Sequence, residues 1–422
     1  MPLKDIFNDY ILGQRLCNGL VVQPRMGFSD RQKMRDGLLA VKATQLPVVG
    51  TLTLDAMTRQ GLTEKAKDAV ERGDRLNGYP LASYSEAENR ELLAGIQDES
   101  FPVQVRHGTP IPKHVFQATM AAGLYAIEGG PVSYALPYGR ALLENTFPAW
   151  RESLRIWSKY GEAQGIATHM ESFAGCMMGQ LCPPSLLIAL GILEGLFIRE
   201  QGVCSLSLSL AQGTNSDQDI AALLALNKLM EGYFADVSTH IVAYTWMGVF
   251  PDTATGAENI IRESARVATV GGAHRLIVKT INEAIGIPSV ENNLQALAWC
   301  SEVSKQSLHK TPTPKQWILM ENIYTEARQI IESVRCLDDD IETAIQQGFK
   351  KGLLDIPFCL HPDNPNQARA EVATDGMINW ADPGRINVIN FQQKVTNNFS
   401  VKQRLSSQQL IQALEYNRWK YR

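Results

Sequence analysis

The chain has 422 residues, 45% hydrophobic and 20% charged, with a formal net charge of −4 at pH 7. That is ordinary for a globular protein, long enough for one large domain with an appendage or for two domains. The absence of a basic excess argues against nucleic-acid binding, and no run of about 18 apolar residues predicts a membrane span.

The seven cysteines (17, 176, 182, 204, 300, 336 and 359) are scattered and show no Cys-x-x-Cys spacing. They read as reduced thiols of a cytoplasmic protein. Met1 to Gln14 contains Lys4, Asp5 and Asp9 and no long apolar run, so no signal peptide is expected.

Short apolar runs predict strands at Gly19–Gln23, Pro47–Leu52, Arg75–Tyr79, Val103–Arg106, Leu124–Glu128, Gly165–His169, Val203–Leu210, His240–Thr245 and Arg275–Lys279. Helical patterns lie between them. Ser216 reads as an N-cap with Asp219 three residues on, Pro183-Pro184-Ser185 opens another helix, and Gly271-Gly272 closes a third. Repeated strand–helix units predict a parallel sheet.

Polar residues at the ends of nearly every strand favour an α/β fold of the (β/α)8 TIM-barrel type over an open doubly wound sheet. No Gly-x-Gly-x-x-Gly follows the first strand, which removes the main argument for a dinucleotide fold. Nine candidates compete for eight places, and periodicity does not say which is surplus. A long helix is expected from Pro314 to Gln347, followed beyond Phe358 by an irregular stretch and a short helical tail. The expected organisation is a lead-in at 1–17, a barrel at 18–305, and a helical and wrapping C-terminal appendage at 306–422.

Three arginines stand out. Arg25 and Arg106 directly follow β-branched runs, and Arg59 lies seven residues past another, so all three belong at or near the carboxyl ends of strands. Guanidiniums converging on one pocket repel unless something anionic lies between them, and each matches a carboxylate with two parallel hydrogen bonds. A small polyanion, most simply a dicarboxylate, is the expected ligand.

Glu128 opens Glu-Gly-Gly-Pro-Val-Ser-Tyr134-Ala-Leu-Pro-Tyr138, where two glycines suggest close backbone approach to a ligand and both tyrosines can reach one pocket. A Gly-Pro turn with two helix-start tyrosines is the plainer alternative. Near three guanidiniums, Glu128 is expected to stay ionised. His107, beside Arg106, reads as a site residue or a structural one. Lys279 closes the last strand as either a Schiff-base lysine or a cation balanced by Glu283, and Glu171 adds a carboxylate at the mouth. Trp246 to Phe250 offers apolar surface for a planar or macrocyclic ligand, or simply core. No paired histidine spacing predicts a zinc or iron site, and Asp338-Asp339-Asp340 reads as a solvated helix face.

Seven strings then occur in one order: Gln-Pro-Arg25-x-Gly27, Asp-Ala-x-Thr-Arg59-Gln, Leu-Asn77-Gly, Arg106-His107-Gly-Thr-Pro, Glu128-Gly-Gly-x-x-Ser-Tyr134-x-x-Pro137-Tyr138, Trp246-Met-Gly-x-Phe250-Pro, and Val-Lys279-Thr-x-x-Glu283-Ala-Ile-Gly-Ile287-Pro. Together, from about residue 18 to Asp355-Ile-Pro-Phe358, they resemble the large (epsilon) subunit family of glutamate mutase, also called methylaspartate mutase.

The resemblance implies a TIM barrel in an adenosylcobalamin-dependent isomerase that interconverts L-glutamate and (2S,3S)-3-methylaspartate by radical rearrangement. It implies substrate contacts from Arg25, Arg59, Arg106, His107, Glu128, Tyr134 and Tyr138, with Glu128 and Arg106 closest to catalysis and Glu128 facing the ammonium group. It implies cofactor contacts from Gly27, Asn77, Pro137, Phe250, Lys279, Glu283 and Ile287. The family's cobalt-ligand signature, Asp-x-His-x-x-Gly, is absent from all 422 residues. A small cobalamin-binding partner chain is therefore expected, with a homodimer of this chain inside a heterotetramer. The alternatives are a mutase acting on a related amino dicarboxylate, or a Schiff-base barrel lyase or aldolase using Lys279.

Overall fold

The computed structural model describes residues 3–137, 139–388 and 407–422. Eight strands form one parallel sheet: β1 (Val21–Pro24), β2 (Gly50–Thr53), β3 (Val103–Arg106), β4 (Ala126–Glu128), β5 (His169–Ser172), β6 (Ser205–Ala211), β7 (Ser238–Tyr244) and β8 (Arg275–Val278). Each strand from β2 to β8 pairs with the next, and β8 returns to β1 with Val21 opposite Arg275 and Pro24 opposite Val278. The last seam closes at the Val22–Val48 bridge, where the Val22 amide donates to the Pro47 carbonyl and the Val49 amide to that of Val22. This is a (β/α)8 barrel.

Helices wrap the outside. α1 (Ile6–Asn18) precedes β1 and α2 (Arg31–Ala43) follows it. α3 (Ala56–Arg59), α4 (Thr63–Glu71) and α5 (Glu86–Leu93) lie between β2 and β3. α6 (Lys113–Ala121), α7 (Leu143–Gln164), α8 (Pro184–Glu200), α9 (Ser216–Tyr233), α10 (Ala254–Val270) and α11 (Val290–Ser307) follow β3 to β8 in turn. Beyond the barrel, α12 (Pro314–Arg335) packs on α8 and α9, and α13 (Ile341–Lys351) packs on α8. That second layer leaves Ser185 to Ile198 of α8 buried all round, as its nearly uninterrupted apolar sequence requires.

The barrel interior is polar. Gln23, Thr51, Gln104, Glu171, Ser207, His240 and Arg275 are all buried strand residues. Arg275 sits at the hub, donating to Gln104 Oε1 (2.8 Å), Glu171 Oε2 (2.6 Å) and His240 Nε2 (3.1 Å), and also to Gln23. Buried charge persists only when paired and hydrogen-bonded, and Arg275 meets both conditions. At the amino-terminal end of the strands, α1 stoppers the barrel. Phe7 stacks on His169 (4.4 Å between centroids), and Asn8 donates to Ser205 Oγ and the Ser238 carbonyl.

The structure corrects several sequence expectations. Arg75–Tyr79 is the surplus strand: only Tyr79 bridges, to Leu54, and a Cβ at Gly78 would lie 2.6 Å from the Leu54 carbonyl carbon. This segment presses end-on against β2 as a loop. Gly165 is the left-handed cap of α7 (φ 69°), so β5 begins only at His169. Asn215, not Ser216, caps α9 by accepting the Gln218 amide.

The expected helix over 314–347 is two helices. Asp338 and Asp340 turn back on the backbone, Asp340 accepting from the Thr343 amide to cap α13, so the aspartates form a helix break rather than a helix face. Glu171 lies inside the barrel on Arg275, not at its mouth. In the Trp246–Phe250 stretch, for which ligand surface and core both stood open, Trp246 and Phe250 are buried and Val249 is exposed.

The stretch beyond Phe358 contains an antiparallel hairpin of β9 (Arg369–Val372) and β10 (Ile378–Asp382), anchored by Asp355, which accepts from the amides of Asn366, Gln367 and Ala368. The helices Ser407–Leu414 and Tyr416–Lys420 pack on the loops after β6 and β7. There Val249 N donates to the Leu414 carbonyl, Asn417 Nδ2 to the Gly213 carbonyl, and Arg418 to Asp252. Glycine at 248 permits this approach, since a Cβ would meet Leu414 O at 3.1 Å and the Trp246 ring at 2.3 Å.

Candidate active site at the barrel mouth

At the carboxyl ends of the strands a cleft of about 650 Å³ is lined by Arg25, Arg59, Arg106, His107, Glu128 and Tyr134, together with Met247 and residues of the loop after β3. Six of the seven residues read as substrate contacts thus share one cleft. The seventh, Tyr138, lies outside the described residues.

Arg106 and Glu128 are the last residues of neighbouring strands β3 and β4. Both are buried, and Arg106 Nε lies 2.8 Å from Glu128 Oε2. Tyr134 donates to Glu128 Oε1 at 2.8 Å, and Tyr244, the last residue of β7, reaches Oε2 at 2.9 Å. Burial pushes the Glu128 carboxyl above the ordinary range; Arg106 pulls it down and Glu171 pushes it up again. Burial thus works against the guanidinium in contact with Glu128 and raises its carboxyl.

The other two arginines are held differently. Arg25 donates from Nη1 to Glu283 Oε1 at 3.0 Å, while its Nε is buried without a partner among the described residues. Arg59 ends the short helix α3, where Asp55 accepts from the Met57 and Thr58 amides. Its Nε donates to the carbonyls of Leu54 (2.8 Å) and Asp55 (3.3 Å), and among the described residues it has no ion pair. Burial depresses its pKa, and Arg25 and Arg106 add to the depression. Repulsion among the three guanidiniums is thus partly offset by Glu283 and Glu128. Among the described residues, Arg59 is the one of the three without a carboxylate partner.

His107 Nδ1 accepts the Thr109 amide, which places the ring proton on Nε2, and Nε2 is buried without a partner among the described residues. Burial, reinforced by His114, Arg59 and Arg106, lowers its pKa to about 3, so the ring is a neutral donor at physiological pH. It packs parallel to the Trp150 ring and edge-on to Tyr134.

The Gly129-Gly130 pair has a structural cause. A Cβ at Gly129 (φ 127°) would strike the Tyr134 ring at 2.5 Å, and one at Gly130 would lie 1.9 Å from the Glu194 carboxyl carbon. Glu194 rises from α8 into that space and accepts from the Val132 and Ser133 amides and the Ser133 and Ser172 hydroxyls. It fixes the turn that carries Tyr134.

Residues 1–412 match the family profile described as methylaspartate mutase E chain. Three relatives named glutamate mutase epsilon subunit are similar to the chain. That of Escherichia coli O157:H7 is 35% identical over 72% of this chain and 66% of its own length. That of Halobacterium salinarum is 33% identical over 80% and 70%, and that of Yersinia enterocolitica 33% over 88% and 79%. The chain belongs to the methylaspartate mutase E chain family. It is a member of a family of mutase enzymes.

Within this member of the E chain family, three of the residues read as cofactor contacts, Lys279, Glu283 and Phe250, form a second group. Lys279, buried one residue past β8, lies 2.8 Å from Glu283 Oε1 and 5.4 Å from the centre of the Phe250 ring. Burial and Arg25 lower its pKa to about 8 despite Glu283. Glu283 Oε1 therefore joins Arg25 to Lys279, so the two groups of residues touch. Asn77 Oδ1 accepts the Ala56 amide, capping the helix of Arg59, and among the described residues its Nδ2 has no hydrogen-bond partner. Gly27 is required by its neighbours, since a Cβ would lie 2.2 Å from the Thr53 carbonyl oxygen. Pro137 is half-buried in the turn after β4, and Ile287 stands exposed in the loop after β8.

Sequence reasoning missed Tyr244, Arg275 and Glu194. Tyr244 closes a strand just as Arg106 and Glu128 do, and that position was its available signal. Arg275 sat within a predicted strand, where an inward charge breaks the apolar pattern. Glu194, within an apolar helix, offered only its isolation. Among the described residues no cluster of His, Cys, Asp or Glu is placed to hold a metal ion, and no helix is long and apolar enough to cross a membrane.

Proposed function

We propose that this chain is the catalytic subunit of an adenosylcobalamin-dependent mutase interconverting L-glutamate and (2S,3S)-3-methylaspartate. The observation that carries this reading is the charge pattern of one cleft: three guanidiniums for two carboxylates, and one carboxyl, Glu128, for an ammonium group. Arg59, anchored through Nε, keeps its terminal nitrogens for a substrate carboxylate. His107 adds a neutral Nε2–H donor, and Arg106 and Tyr134 hold Glu128 in place.

The cofactor fits the rim. Val249, Ile285 and Ile287 are exposed apolar side chains on the loops after β7 and β8, suited to a macrocycle. Lys279, Glu283, Asn77 and Phe250 would hold its adenosyl end, with Gly27 and Pro137 shaping the approach. When bound, adenosylcobalamin supplies homolysis of its cobalt–carbon bond. The chain's own contribution is to orient the amino dicarboxylate and exclude water from reactive species, which explains the lack of a strong protein nucleophile.

Because Asp-x-His-x-x-Gly is absent, the cobalt ligand would come from a small cobalamin-binding subunit, in a cytoplasmic heterotetramer built on a homodimer of this chain. The relatives' designation as an epsilon subunit supports a multisubunit enzyme. A related amino dicarboxylate is the alternative substrate. The Schiff-base reading is weaker, because Lys279 is tied to Glu283 and does not line the cleft. The test is reconstitution. The chain alone should bind adenosylcobalamin weakly and be inactive, and adding the small subunit should give cofactor-dependent conversion of glutamate. Full activity of the isolated chain would overturn the proposal.

A further inference from the structure

Three oxygens form a chain of contacts running from the cleft into the barrel: Glu128 Oε2, the Tyr244 hydroxyl and Glu171 Oε1. Tyr244 is 2.9 Å from the first and in close hydrogen-bonding contact with the second. The hydroxyl has one hydrogen to donate. With both carboxyls ionised, one of the two contacts would hold two oxygens and no hydrogen, in a place where all three residues are buried. The surrounding donors do not relieve this. Arg106 Nε serves Glu128 Oε2, while Arg275 Nη2 and Gln104 Nε2 serve Glu171 Oε2, the oxygen facing away from Tyr244. Arg106 Nη2 comes no nearer than 3.4 Å to the hydroxyl.

The charges balance with both carboxyls ionised, since each has its own guanidinium, but the hydrogens do not. We infer that in the ligand-free protein Glu128 and Glu171 share one extra proton through Tyr244, and that an amino dicarboxylate releases it when its ammonium group reaches Glu128. Other titratable groups among the described residues also face the trio. Tyr134, from the turn after β4, donates to Glu128 Oε1; the Cys176 thiol is buried and neutral; Arg25 and Arg59 line the cleft above. Burial holding Glu128 above the ordinary carboxyl range agrees with the shared proton.

Release is balanced: the protonated trio and a ligand ammonium go to an ionised trio paired with that ammonium, and one proton passes to buffer. The selectivity consequence is direct. A dicarboxylate without an amine meets the same arginines but does not expel the proton, so the site distinguishes the two by proton linkage as well as by contact.

The inference rests on reading Glu128 as the ammonium site, and the experiment separates the two. L-Glutamate and glutarate are titrated into the full chain by calorimetry at pH 7, in buffers of different ionisation enthalpy. The expected result is about one proton released per glutamate bound and none per glutarate. Glu171→Gln should bind glutamate with near-zero release. Should that variant fail to fold with Arg275 unpaired, Tyr244→Phe reads the same quantity, since it breaks the bridge and leaves each carboxyl with its own guanidinium. Glutamate binding without release, or equal release with both ligands, overturns the shared proton and leaves the reading of Glu128 standing. If glutamate does not bind, or binds equally well to Glu128→Gln, the reading itself fails.

Discussion

The Glu194 carboxylate occupies the space that a side chain at Gly130 would need, 1.9 Å from an ideal Cβ. Gly130→Ala should therefore displace Glu194, release the turn that it anchors, and loosen Tyr134 from Glu128. Overpacking a filled interior costs about 1–3 kcal/mol. The expected outcome is a lower Tm together with weaker glutamate binding. Gly191→Ala is the control: it lies on the same helix with nothing within 4 Å of its Cβ, and should be neutral or slightly stabilising.

Glu194 also sets a pH dependence. Burial lifts its carboxyl from 4.5 to about 7 despite four donors. Below about 4.5 both folded and unfolded chains hold the proton. Between 4.5 and 7 only the folded chain keeps it, so stability falls as pH rises through this window and levels off above it. The change amounts to about 3 kcal/mol. Urea denaturation at pH 5 and pH 8 should show Glu194→Gln with a shallower slope than the unsubstituted chain. A residual slope will persist because Asp219 is also lifted to about 7. An unchanged slope would mean that Glu194 is ionised throughout.

Arg59→Lys and Arg106→Lys keep the charge but lose the fork, and each also loses an anchoring bond, Nε to Leu54 or Nε to Glu128. About 1.5–3 kcal/mol per charge-assisted bond predicts roughly a ten- to hundred-fold loss of glutamate affinity or turnover. Calorimetry and reconstituted turnover both read it. If the two lysine variants match the unsubstituted chain, these arginines are not substrate ligands.

Lys279→Ala should leave glutamate affinity in the isolated chain within about threefold, because Glu283 retains Arg25 as partner. Turnover reconstituted with the proposed small cobalamin-binding subunit should fall sharply. Borohydride treatment in the presence of a 2-oxo acid should give no adduct at Lys279. A trapped adduct there would instead favour Schiff-base chemistry.

The barrel was legible because each strand is a short apolar run and each connection carries its own punctuation. The arginines were legible because they follow those runs. What stayed hidden depends on contacts far apart in the chain. Arg75–Tyr79 reads as a strand, and only the close fit of Gly78 against the end of β2 makes it a loop. Asp338 to Asp340 read as helix, although their side chains bond the local backbone more readily than they tolerate a helix interior. Glu171 read as a mouth residue because its partner, Arg275, lies 104 positions away. Tyr244 stays hidden for the same reason: its partners Glu128 and Glu171 are 116 and 73 positions away.

The two helices of residues 407–422 hold the loop after β7 through Leu414 and Arg418, and Arg418 meets Asp252 across 166 positions of chain. During synthesis, every barrel strand is therefore made well before the piece that secures one wall of the cleft. A nascent chain can close its barrel and still lack a finished rim.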